Sequence, residues 1–357
     1  PQMTAKATGE LNTRYELVDS NGIVPIRLSE KEYVRAHDFR RYLHKNLEDF
    51  IIETPLQNPL EFLNKKFDKS LIKNIQAQWS PFNFQKGTIE DFLENLNIDR
   101  TVEISSIKGG YSNAINQLNK FIEVGYHDYA KFRSDPSKEA SSQLSPYFHF
   151  GQISTHEVFE KISDLESWSP ESIDPKMVGR REGWWGSTDN FESFMDELIT
   201  WRELGYHTCV RRANYNQYSS LPEWAIKTLH EHSSDEREHV YTLDELTYSQ
   251  THDEIWNAAQ NQLRTQGIIQ NYLRMLWGKK ILEWTPNPQL ALSYMITLND
   301  RYSLDGRDPN SYSGVFWILG RYDRAWGPER NIFGKIRYMT SDSTARKFNL
   351  KPYLEQW

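Results

Sequence analysis

The sequence predicts a mainly α fold, in which a large helical body follows a short α/β segment. From Tyr111 onward, apolar residues recur three and four positions apart, as in AINQLNKFIEVGYHDYAKF and FESFMDELITWRELGYHTCV. Polar loops with proline or glycine, such as RSDPSKEAS and DGRDPNSYSG, separate these stretches. The 357 residues are too many for one small core and suit a body of roughly 250 residues with a smaller companion.

The first half-hundred residues have a different pattern. Residues 15–28, YELVDSNGIVPIRL, predict a strand, an Asn-Gly turn and a second extended piece. Residues 31–51 predict a helix with four apolar residues at helical spacing: Tyr33, Phe39, Leu43 and Leu47. Residues 54–110 are polar, contain several prolines and predict a linker with short helices.

Start and stop signals divide the helical body. Pro146 suits the first turn of a helix in SQLSPYFHFGQIS. Thr251 and Glu254 have the spacing of a capping box, and Gly267 predicts the end of that helix. The stretch IIQNYLRMLWGKKILEW follows and is stopped by Pro286, after which PQLALSYMITLNDRYSL runs into a glycine-containing loop.

Composition excludes several classes of protein. The single cysteine, Cys209, excludes an internal disulfide framework and Cys-rich zinc sites, which suits a reducing compartment. No apolar run reaches the length of a membrane span and no signal peptide opens the chain, so we expect an intracellular protein, in a prokaryotic cytoplasm or a eukaryotic nucleus. Dinucleotide, P-loop and zinc-protease motifs are absent, and His230 and His232 beside Glu231 favour a solvated surface over a metal site.

The net charge of −7 hides an uneven distribution. Acidic residues concentrate between 227 and 254, whereas residues 318–351 are rich in arginine and lysine. A local basic surface can bind phosphates even on an acidic protein, although many charge runs are only solvated faces. The candidates for contact with nucleic acid are Arg324, Arg330 and Lys335.

Tryptophans form the most informative pattern. Trp277 and Trp284 are seven residues apart on one predicted helix, so their rings lie on nearly the same face, roughly 10 Å apart along the axis. Trp256 lies on the preceding helix, which the turn at Gly267 can fold back alongside. Neighbouring indoles can relay an electron to a buried redox centre, and a tryptophan-rich core is the plainer alternative.

Two further features are typical of ligand sites. Arg274 lies on the tryptophan helix and Asp305 in a glycine-containing loop, so the two can pair beside a ligand or form an ordinary salt bridge. The stretch SSQLS at 141–145 places hydroxyls and backbone N–H groups at a predicted helix start. That geometry suits a phosphate, and an ordinary N-cap is the alternative.

These segments resemble the photolyase and cryptochrome family. SSQLSPYFHFGQIS is similar to its flavin-phosphate segment, and THDEIWNAAQ, NYLRMLWGKKILEW, LNDRYSLDGRDPNSYSG and FGKIRYM are similar to the class II cyclobutane pyrimidine dimer photolyases. The resemblance covers nearly the whole chain. It implies a helical FAD-binding domain at 111–357, preceded by the closing remnant of an α/β antenna domain at 1–53 and a linker at 54–110. Roughly a hundred residues of the antenna domain are then expected to be absent upstream, so the antenna chromophore is unknown and is not expected to be bound by this chain.

The resemblance also implies a cofactor site. FAD, active in its reduced anionic form, is expected to contact residues of two helical segments and the Asp305 loop. Asn299 is expected to face flavin N5. The implied FAD contacts are Tyr129, Ser141, Ser142, Gln143, Leu144, Ser145, Arg274, Asn299, Asp305 and Arg307.

The implied reaction is light-driven repair of UV-damaged DNA by a monomer. An electron passes from photoexcited FAD to a flipped-out pyrimidine dimer, the cyclobutane ring splits and the electron returns, which makes the enzyme a carbon–carbon lyase. Trp277, Trp256 and Trp284 match the family's electron-transfer triad, with Trp277 nearest the flavin. The residues that match the lesion pocket are Glu197, Trp201, Met275 and Trp317. Aromatic walls suit stacking on flipped bases, an acid such as Glu197 suits the thymine edge, and Met275 suits a gap against the bases.

Three alternatives stay open. A (6-4) photolyase requires histidine for acid–base chemistry, and Met275 stands where that type carries it. A cryptochrome-like blue-light sensor would keep the flavin without repair. A helical DNA-binding domain without flavin would give a colourless protein.

Overall fold

In the computed structural model, helices connected by loops form the described part of the chain, which comprises residues 2–56, 58–62, 69–81, 89–94 and 96–357. Within these ranges no β-strand forms, and β pairing is limited to an isolated antiparallel bridge between Arg330 and Gly334. The α-helices span Gln2–Glu10, Ala36–His44, Glu48–Ile52, Lys69–Gln78, Ile89–Glu94, Tyr111–Lys120, Tyr129–Phe132, Ser145–His149, Thr155–Leu165, Asp189–Met195, Arg202–Arg211, Glu223–Glu231, Leu243–Thr247, Glu254–Gln266, Asn271–Trp284, Pro288–Tyr302, Pro309–Ile318, Ser341–Lys347 and Lys351–Gln356. Single 3₁₀ turns lie at Ile26–Leu28, Pro59–Phe62, Tyr126–Asp128, Pro170–Ser172, Pro175–Met177 and Tyr218–Ser220.

The chain divides into two compact units. The larger unit contains the described residues of Pro1–Glu53 and of Ile104–Trp357, and it holds every predicted site residue. The smaller unit, Thr54–Glu103, contains the short helices Lys69–Gln78 and Ile89–Glu94. The predicted linker at 54–110 overlaps it, and part of that linker lies outside the described residues.

The N-terminal segment departs from the sequence prediction. The predicted strand and extended piece at 15–28 are wrong, because the described chain there forms loop and a 3₁₀ turn at Ile26–Leu28. The predicted helix at 31–51 is two helices, Ala36–His44 and Glu48–Ile52. Its four apolar residues are nevertheless all buried, with Leu43 and Leu47 each 1% exposed. The segment thus packs into the helical core without a sheet partner. Its origin as an antenna remnant stays a prediction.

The helical body follows the predicted stretches with two local exceptions. A π-helical turn, Phe121–Gly125, interrupts the first stretch, and a second π-helical turn, Asp196–Trp201, interrupts FESFMDELITWRELGYHTCV. The helix Glu254–Gln266 ends at Gly267 in the left-handed conformation, as predicted. Its predicted N-cap is wrong: Asp253, not Thr251, accepts the N–H of Trp256, at 3.0 Å.

The helix Asn271–Trp284 lies at the centre of the body. Ten of its fourteen residues are buried, including Lys279 and Lys280, so it has no broad polar face. Asn287 caps the following helix, since its side chain accepts the N–H of Leu290 at 2.8 Å and Pro288 occupies the first turn. Across the described ranges, no helix is long and apolar enough to cross a membrane.

Candidate functional site

A cavity of about 660 Å³ opens in the larger unit and collects most of the predicted cofactor residues. Its wall includes Tyr129, the whole of 141–145, Arg274 and Asp305. Glu197 and Trp201, predicted for the lesion pocket, lie on the same wall. The volume falls in the usual range for small-molecule and cofactor sites.

The segment 141–145 leads into the short helix Ser145–His149, with Pro146 in its first turn as predicted. Leu144 is the N-cap and makes no side-chain cap. Ser142 Oγ accepts the Leu144 N–H at a long 3.5 Å, and Gln117 Nε2 donates to the Ser142 carbonyl at 3.0 Å. Gln143 adopts φ +54°, a left-handed conformation that is unusual for this residue type. The serine hydroxyls are therefore not committed to an ordinary N-cap.

Arg274 and Asp305 face one another across the cavity wall. Arg274 Nη1 lies 3.9 Å from Asp305 Oδ1, which is beyond hydrogen-bonding distance, so its donors are free to meet a ligand between them. Ser303 Oγ donates to the Asp305 carboxylate, and Ser311 Oγ donates to the Asp305 carbonyl at 2.8 Å. The carboxylate is thus held in place from its own loop.

Arg133 is a site residue that the sequence did not reveal. Its guanidinium forms an ion pair with the Glu197 carboxylate and lies 5.8 Å from the centre of the Tyr129 ring. Burial alone would lower the pKa of Arg133, but the Glu197 charge raises it above the ordinary value. Burial first and the Glu197 charge second raise the pKa of the Tyr129 hydroxyl. The sequence did not reveal Arg133 because a single arginine in a loop belongs to no recognisable motif. Its position shortly before the SSQLS stretch was the only weak sign in the sequence that it could belong to the site.

Trp201, which shares the cavity wall with Arg133 and Glu197, forms an aromatic pair with Trp317. Their ring centres are 5.7 Å apart with the planes inclined by 36°. Trp201 Nε1 donates to Asp196 Oδ2 at 3.2 Å, which fixes the orientation of the indole. Both rings are partly exposed, as stacking on a base requires. Two of the four predicted pocket residues, Trp317 and Met275, are not on the cavity wall. Met275 is buried, next to Arg274 in the sequence.

Two predicted cofactor residues are not brought to the cavity. Asn299 is buried in Pro288–Tyr302, and its Nδ2 donates to Asp300 Oδ1 at 3.2 Å. Arg307 has φ +65°, its N–H donates to Asp300 Oδ1 at 3.1 Å, and its side chain is exposed. Asp300, which the sequence analysis did not select, therefore joins both residues away from the cavity wall.

The three predicted relay tryptophans lie in one buried cluster. Trp256 and Trp284 have ring centres 5.6 Å apart, and Trp256 Nε1 donates to the Trp277 carbonyl at 3.0 Å. Trp277 Nε1 donates to Gln260 Oε1 at 2.8 Å. Because the exposure of each is 2% or less, even Trp284 has almost no direct contact with solvent. The predicted proximity of Trp256 to the tryptophan helix is confirmed.

Residues 319–340 of the basic segment form a loop, called the basic loop below, in which several cations lie beside aromatic rings. The Arg324 guanidinium lies 4.7 Å from the Trp326 ring, and the Arg330 guanidinium lies 4.8 Å from the Tyr338 ring. Lys335 Nζ pairs with Glu329 Oε1 at 3.0 Å. Arg321, counted with this segment in the sequence, is instead 4% exposed and donates to the Tyr215 carbonyl at 2.7 Å. It is a core residue and offers no surface charge.

The predicted solvated surface at His232 is an ion-pair cluster. His232 Nδ1 lies 2.6 Å from Asp235 Oδ2, and its Nε2 lies 3.8 Å from Glu329 Oε2. Within the described ranges, no group of three or more His, Cys, Asp or Glu is arranged to hold a metal ion.

Comparison with known proteins places the chain. No family model matches it. It is 36% identical over 352 residues to a deoxyribodipyrimidine photo-lyase of Methanothermobacter thermautotrophicus, and the alignment covers 98% of this chain and 70% of that protein. It is 36% identical over 341 residues to a deoxyribodipyrimidine photo-lyase of Potorous tridactylus, over 94% of this chain and 57% of that protein.

A solved structure shares the fold. The class III photolyase of Agrobacterium tumefaciens superposes with a TM-score of 0.57 at 16% identity, over 94% of this chain and 60% of that one. The chain thus spans between about half and two thirds of most of these relatives, and 70% of the archaeal protein. At 36% identity over almost its full length, the chain belongs to the deoxyribodipyrimidine photo-lyase family, within the photolyases and cryptochromes.

Proposed function

We propose that this chain is the FAD-binding catalytic part of a class II cyclobutane pyrimidine dimer photolyase, which repairs UV-damaged DNA with light. One observation carries the proposal: a single cavity wall holds eight of the ten predicted cofactor residues together with two predicted lesion residues, Glu197 and Trp201. A cofactor and a substrate that exchange an electron must meet in this way. The class II assignment is supported by the long sequence strings around Trp256, Trp277 and Asp305.

The cavity wall fits FAD. Arg274 offers guanidinium donors that are not bonded to Asp305, and the hydroxyls of the segment 141–145 are not used in capping. A guanidinium beside a ring that becomes anionic is stabilising, and the Asp305 carboxylate lies 3.9 Å from the Arg274 guanidinium without hydrogen-bonding to it. When bound, reduced FAD supplies the electron that light sends to the lesion. Asn299 and Arg307 are proposed here only as residues that reach the cofactor after a local rearrangement.

Glu197 and Arg133 act on the lesion side. The Arg133 guanidinium pairs with the Glu197 side chain and fixes its direction. A thymine edge presents both N–H donors and carbonyl acceptors, so the carboxylate accepts from the base while Arg133 supplies positive charge near a dimer that gains an electron.

Trp201 and Trp317 provide the stacking wall for the flipped bases. Their tilted pair leaves faces open to a ligand, and base–aromatic stacking contributes about 1–3 kcal/mol per base. Met275 is proposed to fill the remaining gap. An electron relay is proposed to lead toward the cavity through Trp277, Trp256 and Trp284. This relay would restore the reduced cofactor and would not take part in repair itself.

The test is illumination of an oligonucleotide that contains one thymine dimer with purified, FAD-loaded protein. We expect absorbance at the thymine band to recover under blue or near-UV light and to stay unchanged in the dark. Trp201→Ala is expected to weaken dimer binding about tenfold or more, and Glu197→Ala to lower the repair yield with FAD still bound. Glu182→Gln, which changes an exposed carboxylate in a loop that does not line the cavity, is the matched control.

Three results discriminate the alternatives. A colourless protein that binds no FAD would exclude the flavoenzyme altogether. A yellow protein that photoreduces but leaves the dimer intact would favour a blue-light sensor. Unchanged repair by Glu197→Ala would remove Glu197 from the site.

A further inference from the structure

Glu329 lies between two cationic partners on the basic loop. Its Oε1 is 3.0 Å from Lys335 Nζ, and its Oε2 is 3.8 Å from His232 Nε2. The side chains of Glu329 and Lys335 are about half exposed, at 47% and 49%, whereas His232 is 19% exposed. The carboxylate can therefore shift between the two partners by a rotation of its own side chain, without movement of the backbone.

The backbone of the loop is fixed to the neighbouring helix Glu223–Glu231. Asp235 Oδ2 accepts the Ile332 N–H at 2.8 Å while it pairs with His232, and the Lys335 N–H donates to Thr228 Oγ1 at 3.0 Å. Gly334 packs so tightly that a Cβ there would lie 2.1 Å from Thr228 Oγ1. Only the ends of the charged side chains are free to exchange partners.

Charged groups from two segments surround His232. Asp235 and the nearby Arg237 belong to the segment that follows His232 in the sequence, whereas Glu329 and Lys335 belong to the basic loop that faces it. The backbone N–H of Ile332 and then His232 lower the pKa of Asp235, and Lys335 first, with His232 further down, lowers the pKa of Glu329. Both carboxylates therefore stay charged at neutral pH. Histidine is the side chain that changes charge between pH 5 and 8.

We propose that Glu329 is an internal counter-ion of Lys335, and that it passes to protonated His232 when a DNA phosphate takes its place. Lys335 cannot engage a phosphate fully while Glu329 neutralises it. When the phosphate displaces the carboxylate, Glu329 stands next to His232 Nε2, which takes one proton from solvent and pairs with it. DNA binding is then linked to proton uptake, and affinity rises as pH falls. The inference rests on the proposed DNA-repair function and deepens it.

The size of the effect follows from exposure. Because solvent screens ion pairs that are this accessible, we expect only a small change, of about two- to fivefold, in Kd between pH 8 and pH 6. Salt screens such pairs, so the experiment is run at one fixed, low ionic strength.

The test measures Kd for a fluorescent duplex that contains one thymine dimer, by anisotropy, from pH 6 to pH 8. The wild-type chain is expected to bind about two- to fivefold more tightly at pH 6. Glu329→Gln removes the counter-ion, so it is expected to bind at pH 8 as tightly as the wild type at pH 6, with little pH dependence. His232→Gln is expected to bind at all pH values as the wild type does at pH 8. Glu231→Gln, which changes an exposed carboxylate at the end of the helix Glu223–Glu231, is expected to keep the pH dependence of Kd seen in the wild type.

Proton uptake is checked independently of affinity. The protons taken up on binding, measured at pH 7 by calorimetry in two buffers of different ionisation enthalpy, are expected to exceed zero for the wild type and to fall close to zero for Glu329→Gln and His232→Gln. Binding with the same pH profile in all variants would overturn this inference and leave the repair function standing. No binding by any variant at any pH would overturn both.

Discussion

Glu203 offers a sharp test of how the N-terminal segment is held. Its carboxylate is buried, at 4% exposure, in the helix Arg202–Arg211. It accepts the Ile23 N–H at 2.6 Å and lies 3.3 Å from the Val24 nitrogen, so it joins the loop before residue 26 to the helical body. Burial raises the pKa of Glu203 from its ordinary 4.5 to about 8, although the two N–H donors act in the opposite direction.

The sign and size of the pH effect follow from that pKa. Between pH 4.5 and about 8 the folded chain keeps a proton on Glu203 that the unfolded chain releases. Stability is therefore fully present below pH 4.5 and is lost as pH rises toward 8. Since one pKa unit corresponds to about 1.4 kcal/mol, the loss reaches about 4 to 5 kcal/mol at pH 8. Glu203→Gln keeps an acceptor for Ile23 and removes the titration.

The assay is urea unfolding at several pH values between 4.5 and 8.5. Other groups also titrate there, since burial first and Arg40 second lower the pKa of His44 to about 3, which makes stability rise with pH up to about 6.5. The informative quantity is thus the difference between Glu203→Gln and the wild type, which is expected to grow in favour of the variant as pH rises. Glu182→Gln is expected to follow the wild type. A constant difference across the range would refute the argument.

Three further outcomes are expected. Trp277→Phe should slow photoreduction of the bound flavin and spare repair by chemically reduced protein, as transient absorption and the dimer assay can show; loss of repair would contradict the relay role. Arg40→Met should lower the free energy of unfolding by about 3–5 kcal/mol, because it leaves the buried Asp196 carboxylate without its bidentate partner; a loss below 1 kcal/mol in urea titration would contradict this. Gly267→Ala should cost about 1 kcal/mol or more, since Gly267 has φ +76° and a Cβ would lie 2.6 Å from Leu304 Cγ; unchanged stability would show that the turn relaxes.

The helical body was predictable because its signals are local and agree with one another. Each boundary signal agrees with the structure within a few residues. Pro146 lies in the first turn of a helix, Gly267 follows the end of Glu254–Gln266, and Pro286 follows the end of Asn271–Trp284. The N-terminal error has a clear physical reason. The pattern of residues 15–28 suits a strand, but a strand forms only with a partner, and none exists in the described part of the chain. The chain there is held by Glu203 instead, a contact 180 residues away that no local pattern encodes.

The candidate site was predictable where it depends on motifs and not where it depends on packing. The 141–145 segment, Arg274 and Asp305 meet at one cavity, as the resemblance implied. Arg133 was missed because its role depends on its distance from Glu197, which only the folded chain defines. The π-helical turn Asp196–Trp201 was also missed, because α and π turns share the same apolar spacing over six residues. Such turns are frequent at functional sites.

That π-helical turn explains why the N-terminal segment matters to the site. Arg40 donates two hydrogen bonds to Asp196, at 2.7 and 2.9 Å, and Asp196 in turn accepts the indole N–H of Trp201. The Trp201 ring then packs against Trp317. A buried charge pair is costly unless every lone pair is satisfied, and here Trp201 satisfies one of them. The orientation of the Trp201 indole, which we propose stacks on the lesion, therefore depends on Arg40, a residue of the first helix after the N-terminal loop. The N-terminal segment is thus structurally part of the helical body that carries the proposed site.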